Sequence, residues 1–516
     1  MATQPVIEVG PVWARLAAPP PLVAKVREHL RADDPAAPHT WSYKTGRWDG
    51  KVDFAKNGIF LSGLTWRVAR YMKTIGATPV VNWPDVGSLA TEPLDGEMLG
   101  VEWRPYQLDA VSRALRMRRM VLQCPTRGGK TEIAMEFIRQ VGGNALWVTH
   151  TDELRRQTPQ RFWDRLRIEC GVVQGKRRDT DSPVVVGMVQ TLARLARPTV
   201  PDKRTKRRVP NPDYDPEFFE QFDVLVMDEA HHASADTWQA VAAACVNCNY
   251  RLGLSGTVDE GVVDISELNR LKIEGALGPT YTVETTMGLA AQGFVSTPRV
   301  VVLSCPRESY PEYETVREFV CPDWRDDPRG LLSKLGPKLF AESYQRGVID
   351  NSARNRLVVD TATRHARQRE RFLVLCNRVP HADYLARRLQ ESSALGDLRG
   401  AVWMLSGDSS SAEREATLTE FKRQRDGAIL VCTPFFREGV DVPQIDAGFL
   451  AGGGESDVAL LQALGRMLTA RADKPEVLIY DVADGNDPRH EKDYLARHFR
   501  SRLNRYEQSG FTVERR

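Results

Sequence analysis

The sequence predicts an α/β protein with two parallel-sheet domains behind a small α+β domain. From about residue 119, short aliphatic or β-branched runs alternate with amphipathic helical stretches, which is the pattern of βαβ units around a parallel sheet. These runs form two sets of about five strands, and two sheets of that size do not fit into one domain. The chain has 516 residues, which at roughly 150 residues per domain allows about three domains.

The candidate strands lie on either side of a stretch punctuated by glycine and proline, which indicates a connection. The first set comprises residues 120–123, 145–149, 184–187, 224–227 and 251–254. The second set comprises residues 372–375, 402–405, 428–432, 447–450 and 477–480. We therefore expect an N-terminal domain at 1–98, a first sheet domain at 99–278, a connecting region at 279–345 and a second sheet domain at 346–516.

The composition is that of an ordinary globular protein and excludes a disordered or membrane-spanning one. Hydrophobic residues make up 42% of the chain and charged residues 27%. No apolar run approaches the ~18 residues that cross a bilayer, and the first thirty residues carry prolines and charges where a signal peptide needs an apolar run. We expect a protein that stays in the cytoplasm and has no membrane partner.

Eight cysteines are few for this length and mostly isolated, which favours a reducing compartment over a disulfide framework. Cys245 and Cys248 have the spacing of a zinc or redox pair, but no second pair or histidine doublet accompanies them. A metal site and a pair of structural cysteines both remain open.

The net charge of +3 hides two basic stretches. Residues 41–73 mix basic and aromatic side chains, which suits phosphate contact and base stacking but also a small aromatic core with solvated lysines. Residues 194–208 contain seven basic residues and one acid, so they form either a DNA-binding arm or a disordered, solvated loop.

Residues 124–131 (CPTRGGKT) follow a predicted strand and open a helical run, where backbone N–H groups can cradle phosphates. In this setting Lys130 would reach the β and γ phosphates of ATP, and the hydroxyl of Thr131 would hold Mg²⁺. Cys124 replaces the first glycine of the general pattern, and taken alone the segment could also be a turn that happens to contain a lysine.

Asp228 and Glu229 end an apolar strand as two adjacent carboxylates, which is costly unless a cation meets them. Asp228 would bind Mg²⁺, and Glu229 would orient and deprotonate the attacking water. The alternative is an N-cap for the next helix. Together with Lys130 about a hundred residues earlier, the pair indicates an ATPase.

Further motifs follow in the order of superfamily 2 helicases, and over about residues 100–485 the chain resembles the DEAH-box type of that superfamily. The resembling segments are 104–107 for adenine recognition, 150–157 for motif Ia, 189–191 for motif Ib, 255–257 for motif III, 376–378 for motif IV, 433 with 437–441 for motif V and 462–466 for motif VI. His231 and His232 then belong to motif II and its flank rather than to a metal site.

This resemblance implies two RecA-like motor domains that hydrolyse ATP with Mg²⁺ in the cleft between them. The implied ATP-binding residues are Arg104, Tyr106, Gln107, Pro125, Thr126, Arg127, Gly128, Gly129, Lys130, Thr131, Gly439 and Asp441. The implied catalytic residues are Lys130, Asp228, Glu229, Gln462, Arg466 and Arg471, with Thr131 and Asp228 as metal ligands. The implied nucleic-acid contacts of the motor are Thr151, Gln190, Thr191, Arg378 and Thr433.

Two positions depart from the family pattern. Arg127 stands where the phosphate loop usually has glycine, and Thr469 stands where motif VI usually has a further arginine. Arg471 lies two residues beyond Thr469 and is the candidate substitute.

The flanks resemble the phage UvsW-type recombination helicases at the N-terminus and the related XPB-like branch in the motor. The N-terminal resemblance rests on residues 48–51, 63–64 and 67–76, and Lys44, Arg47, Trp48 and Lys51 are the candidate DNA contacts there. This resemblance implies a monomeric DNA-dependent ATPase that remodels forks, junctions and RNA–DNA loops in recombination, repair or replication. If the protein is encoded by a phage, its location would be the host cytoplasm. A duplex translocase that separates no strands and an ATP-gated nucleic-acid clamp are the alternatives.

Overall fold

The computed structural model describes residues 4–84, 94–202, 204–205, 207–256, 266–321, 331–424, 426–433, 445–454, 475–486 and 493–516. The chain divides into two compact units, Met1–Glu284 and Thr285–Arg516.

The N-terminal part of the first unit is a small α+β structure, as predicted. Its strands are β1 Val6–Val9, β2 Trp13–Ala17, β3 Arg31–Asp33, β4 Lys51–Asp53, β5 Ala55–Lys56, β6 Ile59–Leu61 and β7 Val80–Asn82, and its helices are α1 Pro20–His29, α2 Trp41–Lys44 and α3 Thr65–Thr74. One sheet has the order β5-β6-β2-β1-β7, and β3 pairs with β4 in a separate ribbon. In β2, Ala14 and Leu16 are buried while their neighbours are exposed, which is the alternation of a half-buried strand.

An eight-stranded sheet forms the rest of the first unit. Its strands are β8 Arg119–Gln123, β9 Ala145–Thr149, β10 Gly171–Gln174, β11 Arg177–Arg178, β12 Val184–Met188, β15 Val224–Asp228, β16 Tyr250–Ser255 and β17 Thr280–Thr282, while β13 Thr199–Pro201 and β14 Arg208–Pro210 form a separate hairpin. The helices are α4 Pro105–Met117, α5 Lys130–Val141, α6 Asp152–Leu166, α7 Val189–Ala196, α8 Glu217–Glu220, α9 Asp236–Ala244 and α10 Glu267–Leu277.

The strand order of this sheet is β11-β10-β12-β9-β15-β16-β8-β17, and every pairing except that of the edge strand β11 is parallel. Strands β8, β9 and β15 are buried along their whole length because helices cover both faces, so their sequences are continuous apolar runs. The carboxyl ends of these strands meet at one edge, where the phosphate loop and the paired carboxylates lie.

The second unit is built on a seven-stranded, fully parallel sheet. Its strands are β18 Thr297–Leu303, β19 Arg371–Leu375, β20 Val402–Leu405, β21 Ala428–Cys432, β22 Ala447–Leu450, β23 Glu476–Val482 and β24 Thr512–Arg515, in the order β20-β21-β19-β22-β23-β18-β24. Its helices are α11 Thr286–Ala291, α12 Tyr313–Val320, α13 Leu331–Tyr344, α14 Ser352–Arg367, α15 Val379–Gln390, α16 Ser411–Arg423 and α17 Tyr494–Gln508.

All ten predicted strands are present, and the prediction of two parallel sheets is confirmed. The structure differs from the expected connecting region at 279–345. Its first residues form β17 of the first sheet, and residues 297–303 form β18, which lies between β23 and β24 of the second. The sequence did not predict β18 because its second residue is Pro298. A proline is tolerated near the start of a strand, but it weakens the sequence pattern that predicts one.

The N-terminal part packs tightly on the first sheet domain through Arg119. This arginine is 1% exposed, and its guanidinium donates to Ser62 Oγ at 2.5 Å, to the carbonyl of Pro11 at 2.7 Å and to that of Cys248 at 3.3 Å. Arg67 of α3 adds ion pairs of 2.8 and 2.7 Å with Glu267 and Glu274 of α10. Residues 4–84 therefore complete the packing of this domain.

A buried ion-pair network lies in the second unit beside the loop after β22. Arg354 Nε donates to Asp484 at 2.7 Å, and Arg502 donates to Asp481 at 2.9 Å and to Asp484 at 3.0 Å. Arg354 also donates to the carbonyl of Ala451 at 2.7 Å, and Arg502 to that of Gly454 at 3.1 Å. The network thus fixes the loop at 451–454 to helices α14 and α17.

Candidate active site

The phosphate-loop segment forms a tight turn between β8 and α5, and two glycines are sterically required in it. A Cβ on Gly128 would lie 2.1 Å from the sulfur of Cys124. A Cβ on Gly129 would lie 2.1 Å from Nε2 of Gln107, and this glycine also has a φ of +82°. Cys124, which stands in place of the usual first glycine, is thus accommodated because residue 128 has no side chain.

Arg127 adopts a φ of +71°, the left-handed region that favours glycine. This geometry accounts for the glycine that the family usually has here. The side chain of Arg127 is exposed, and its carbonyl accepts a hydrogen bond from Nη1 of Arg104 at 3.3 Å. Arginine in place of glycine at this position therefore strains the backbone, but the loop still forms the turn.

Lys130 and Thr131 begin helix α5, directly after the turn. Nζ of Lys130 donates to the carbonyl of Cys124 at 2.9 Å, so the ammonium lies over the loop. The hydroxyl of Thr131 accepts from Nη1 of Arg161 at 3.0 Å.

The turn before α5 is closed by a backbone hydrogen bond: the carbonyl of Pro125 accepts from the N–H of Gly128 at 3.0 Å. Thr126 lies half-buried in the same turn.

The adenine-recognition segment at the start of α4 is bonded to the phosphate loop. Tyr106 Oη and Gln107 Nε2 both donate to the carbonyl of Gly128, at 3.0 and 3.1 Å. Arg104 donates its backbone N–H to Oε1 of Gln107 at 3.0 Å and Nη1 to Tyr106 Oη at 2.8 Å. The Gln107 amide therefore holds the phosphate loop through Nε2 and the start of α4 through Oε1, a positioning role that the sequence did not predict.

The paired carboxylates lie at the carboxyl end of β15. Burial and the neighbouring charge of Glu229 raise the pKa of Asp228, against attraction from Lys130. A buried carboxylate in this position favours a divalent cation, and Mg²⁺ requires few protein ligands beside the phosphates. The carboxylate of Asp228 and the hydroxyl of Thr131 are oxygen donors of the kind that Mg²⁺ binds.

Glu229 occupies a left-handed turn with a φ of +52° and begins the segment Ala230–Ser234. Its carboxylate lies 3.4 Å from Nδ1 of His231, and the same nitrogen lies 3.4 Å from Oγ of Ser255 at the end of β16. His231 thus joins the candidate general base to the first residue of motif III. Thr257 of that motif lies outside the described residues.

Thr151 and Thr191 use their hydroxyls within the protein. Thr151 Oγ1 accepts from the backbone N–H of Leu154 at 3.3 Å and caps α6, while the buried Thr191 accepts from Gly175 at 3.0 Å. The side chain of Gln190, at the start of α7, is exposed. In this region, Gln190 is therefore the predicted contact with the most exposed side chain.

In the second unit Arg378 is exposed at the start of α15, and Thr433 is buried with its hydroxyl accepting from Gly407 at 3.2 Å. The remaining predicted site residues of this unit lie outside the described residues: Gly439, Asp441, Gln462, Arg466 and Arg471.

The N-terminal candidates surround a different aromatic from the predicted one. Trp48 is half-buried and its indole N–H donates to the carbonyl of Lys51 at 2.8 Å. Trp41 is 62% exposed, and the guanidinium of Arg47 lies 4.4 Å from its ring centroid. Lys44 is exposed on the same short helix. Trp41 is thus a more exposed candidate for stacking than Trp48, and its position in the basic stretch near Arg47 was the signal for it.

Cys245 and Cys248 are buried, and Sγ of Cys248 donates to the carbonyl of Phe222 at 3.2 Å. Within the described ranges, no three residues among His, Cys, Asp and Glu cluster as metal ligands would. The described helices also include none that is long and apolar enough to span a membrane.

Comparison with known proteins agrees with this geometry. Residues 100–260 match the family of type III restriction enzyme res subunits, and residues 353–471 match the helicase conserved C-terminal domain. The ATP-dependent DNA helicase uvsW of Enterobacteria phage T4 is 23% identical over 509 residues, covering 91% of this chain and 90% of the relative. The DNA 3'-5' translocase XPB2 of Sulfurisphaera tokodaii is 24% identical over 410 residues, covering 75% and 82%.

A solved structure, the ATP-dependent Type ISP restriction-modification enzyme LlaBIII bound to DNA, covers 81% of this chain with 31% of its own chain. It has a TM-score of 0.54 and 14% sequence identity, which shows a shared fold.

The fold and the site define an ATP-hydrolysing enzyme of the helicase class, with two RecA-like sheet domains in tandem. More particularly, the chain is a superfamily 2 helicase that combines a res-type domain with a helicase C-terminal domain.

Proposed function

We propose that this helicase is of the DEAH-box type and acts as a monomer in the cytoplasm on branched DNA: forks, junctions and RNA–DNA loops. The observation that carries the proposal is the correspondence with the phage T4 helicase over 91% of this chain, which is more than the motor alone.

In the proposed mechanism, Gly128, Gly129 and Lys130 bind the phosphates of ATP. Thr131 and Asp228 would hold Mg²⁺, which supplies charge neutralisation for phosphoryl transfer. Glu229 orients the attacking water and accepts its proton, and His231 keeps the carboxylate of Glu229 beside Ser255. Arg466, with Arg471 as a second candidate, would complete the site from the second unit, together with Gln462, Gly439 and Asp441.

DNA is proposed to bind along both units and the N-terminal part. Gln190 and Arg378 are exposed for direct contact, whereas Thr151, Thr191 and Thr433 position the surrounding backbone. In the N-terminal part, Trp41 is proposed to stack on an unpaired base at the branch. Arg47, Lys44 and Lys51 would contact the phosphates beside it, and Trp48 would support the turn.

The test replaces Trp41 rather than the whole N-terminal part. We expect Trp41→Ala to weaken binding to a forked DNA by about fivefold or more, since base stacking on an aromatic contributes about 1–3 kcal/mol, and to leave binding to blunt duplex unchanged. Trp163→Ala is the matched control, because Trp163 is also exposed and has the guanidinium of Arg167 5.7 Å from its ring. Equal fork affinity in wild type and Trp41→Ala would remove the branch-binding role.

A second candidate is a duplex DNA translocase that separates no strands. It is favoured by the relative named as a translocase and by the restriction-enzyme family of residues 100–260. A strand-displacement assay run beside a triplex-displacement assay separates the two candidates, because a pure translocase displaces the third strand and leaves the duplex intact.

A further inference from the structure

Strands β13 (Thr199–Pro201) and β14 (Arg208–Pro210) form an antiparallel β-hairpin, and the sequence between them is strongly basic. Val200 of β13 lies opposite Val209 of β14 in an antiparallel ladder. The tip sequence 202–208 (DKRTKRR) contains five basic residues and one acid. The disordered-loop alternative for this stretch is therefore wrong for its described residues.

The single acid of the tip is used to build the turn. Oδ1 of Asp202 accepts from the backbone N–H of Arg204 at 3.1 Å, from that of Thr205 at 2.6 Å and from the Thr205 hydroxyl at 2.8 Å. The carboxylate of Asp202 thus fixes the tip conformation and forms no ion pair with an arginine within the described ranges.

The base of the hairpin is attached to helix α7. Nδ2 of Asn211, which is buried, donates to the carbonyls of Arg194 and Arg197 at 2.5 and 2.7 Å. These two residues lie at the C-terminal end of the helix that begins with Val189 and Gln190. The hairpin is therefore attached to the helix that carries the predicted motif Ib.

Among the described residues of the tip, the arginines form no ion pair with the protein. Arg204 and Arg207 are exposed, and neither forms an ion pair among the described residues. Arg208 directs Nε and Nη2 to the hydroxyl and carbonyl of Thr199, at 2.8 and 3.1 Å, and so keeps its full charge. Cations held this closely on a rigid turn repel one another, and a polyanion relieves that repulsion.

We propose that the hairpin 199–210 contacts the phosphate backbone of the DNA on which the motor acts, as a grip that does not depend on base sequence. Phosphate is favoured as the ligand because the tip presents cations without an exposed aromatic ring that could stack on a base. The inference rests on the proposed function, since it takes DNA as the substrate.

The experiment measures binding of the full, nucleotide-free chain to one blunt duplex between 50 and 200 mM salt. We expect the double variant Arg204→Ala with Arg207→Ala to bind more weakly and to lower the slope of log affinity against log salt by about one per arginine. The variant Arg204→Lys with Arg207→Lys should retain the slope, because a phosphate contact needs the charge. ATP hydrolysis without DNA should be unchanged.

The matched control is Arg367→Ala with Arg423→Ala. These exposed arginines precede strands β19 and β21, so they lie at the sheet edge opposite the motifs, and their removal should leave the slope at the wild-type value. If the Arg204–Arg207 alanine variant kept the wild-type salt slope, the proposal that the hairpin contacts DNA would be wrong. The same result is expected if the hairpin binds an acidic protein instead of DNA. Absence of DNA binding in the wild type would instead overturn the proposed function itself.

Discussion

Nδ1 of His231 lies 3.4 Å from Oγ of Ser255, and the same atom lies 3.4 Å from the carboxylate of Glu229. One imidazole nitrogen therefore connects the residue proposed to activate water with the strand end that leads into motif III. We expect a change at either end of this contact to affect the other end through this single side chain.

Two substitutions test the ATP site. We expect Glu229→Gln to abolish ATP hydrolysis but to retain ATP binding, because the amide keeps the shape of the side chain and cannot accept a proton. Lys130→Ala should abolish hydrolysis and weaken binding, because it removes the cation over the phosphate loop. Steady-state ATPase assays and equilibrium binding of a fluorescent ATP analogue measure both effects. DNA-stimulated turnover that persists in both variants would refute the site.

The His231 bridge predicts non-additive variants. We expect His231→Ala and Ser255→Ala each to lower kcat for DNA-stimulated hydrolysis by roughly tenfold, since each removes a contact between Ser255 and Glu229 and a loss of about 1.4 kcal/mol of transition-state stabilisation corresponds to that factor. The double variant should be no slower than the slower single variant, because both changes break the same link. Multiplicative losses in the double-mutant cycle would show that the two residues act independently.

The contacts of Arg119 predict that deleting the N-terminal part destabilises the rest of the chain. Deleting residues 1–98 takes away Ser62 and Pro11 and leaves a guanidinium at the edge of the core with fewer acceptors. We expect the truncated chain to lose several degrees of Tm and part of its ATPase activity without DNA. Calorimetry beside the ATPase assay measures both, and Arg119→Met in the truncated chain should recover part of the Tm. A truncated chain as stable as the full one would contradict this account.

His381 predicts a pH dependence of stability in the second unit. Burial, with a smaller effect of Arg354, lowers the pKa of this histidine to about 3. Nδ2 of Asn355 donates to the carbonyl of Ile349, so its Oδ1 accepts from Nε2 of a neutral His381. Since the unfolded chain binds a proton near pH 6.5 and the folded chain does not, stability present above pH 6.5 is lost as the pH falls.

The expected loss from this histidine is on the order of 2 kcal/mol between pH 7 and pH 5. Urea unfolding at the two pH values measures it against His381→Gln, which keeps a donor for Asn355 and carries no titrating group. The variant should show a smaller change between the two pH values than the wild type. Equal changes would mean that His381 takes up its proton in the folded chain.

The sequence pattern marks the candidate residues on the ATP side of the site more clearly than those on the nucleic-acid side, and the reason is physical. Lys130, Asp228 and Glu229 follow buried parallel strands, so continuous apolar runs mark their positions locally. Which tryptophan of residues 41–73 is exposed depends instead on tertiary contacts, since Trp48 is held by the carbonyl of Lys51 and Trp41 is left outside. A similar limit applies to Gln107, whose bond to Gly128 joins residues that are distant in sequence.

Five of the strands that the sequence missed are either very short or contain a proline. β11 and β17 have two and three residues, β13 and β14 each contain a proline, and β18 has a proline at its second position. Such strands are stabilised by pairing with neighbours rather than by their own pattern, so they become recognisable only once the sheet is known.

The pairing of β18 also sets an order of events during synthesis. This apolar strand at residues 297–303 lies between β23 and β24, so both of its partners are translated long after it. At about 5–20 residues per second, roughly 10 to 40 s pass before the ribosome has added residues 512–515. Until then β18 has at least one unpaired edge, so the nascent chain is exposed to strand-mediated aggregation while it waits. Slower translation or loss of the last residues would therefore reduce the yield of folded protein before it affected the motor.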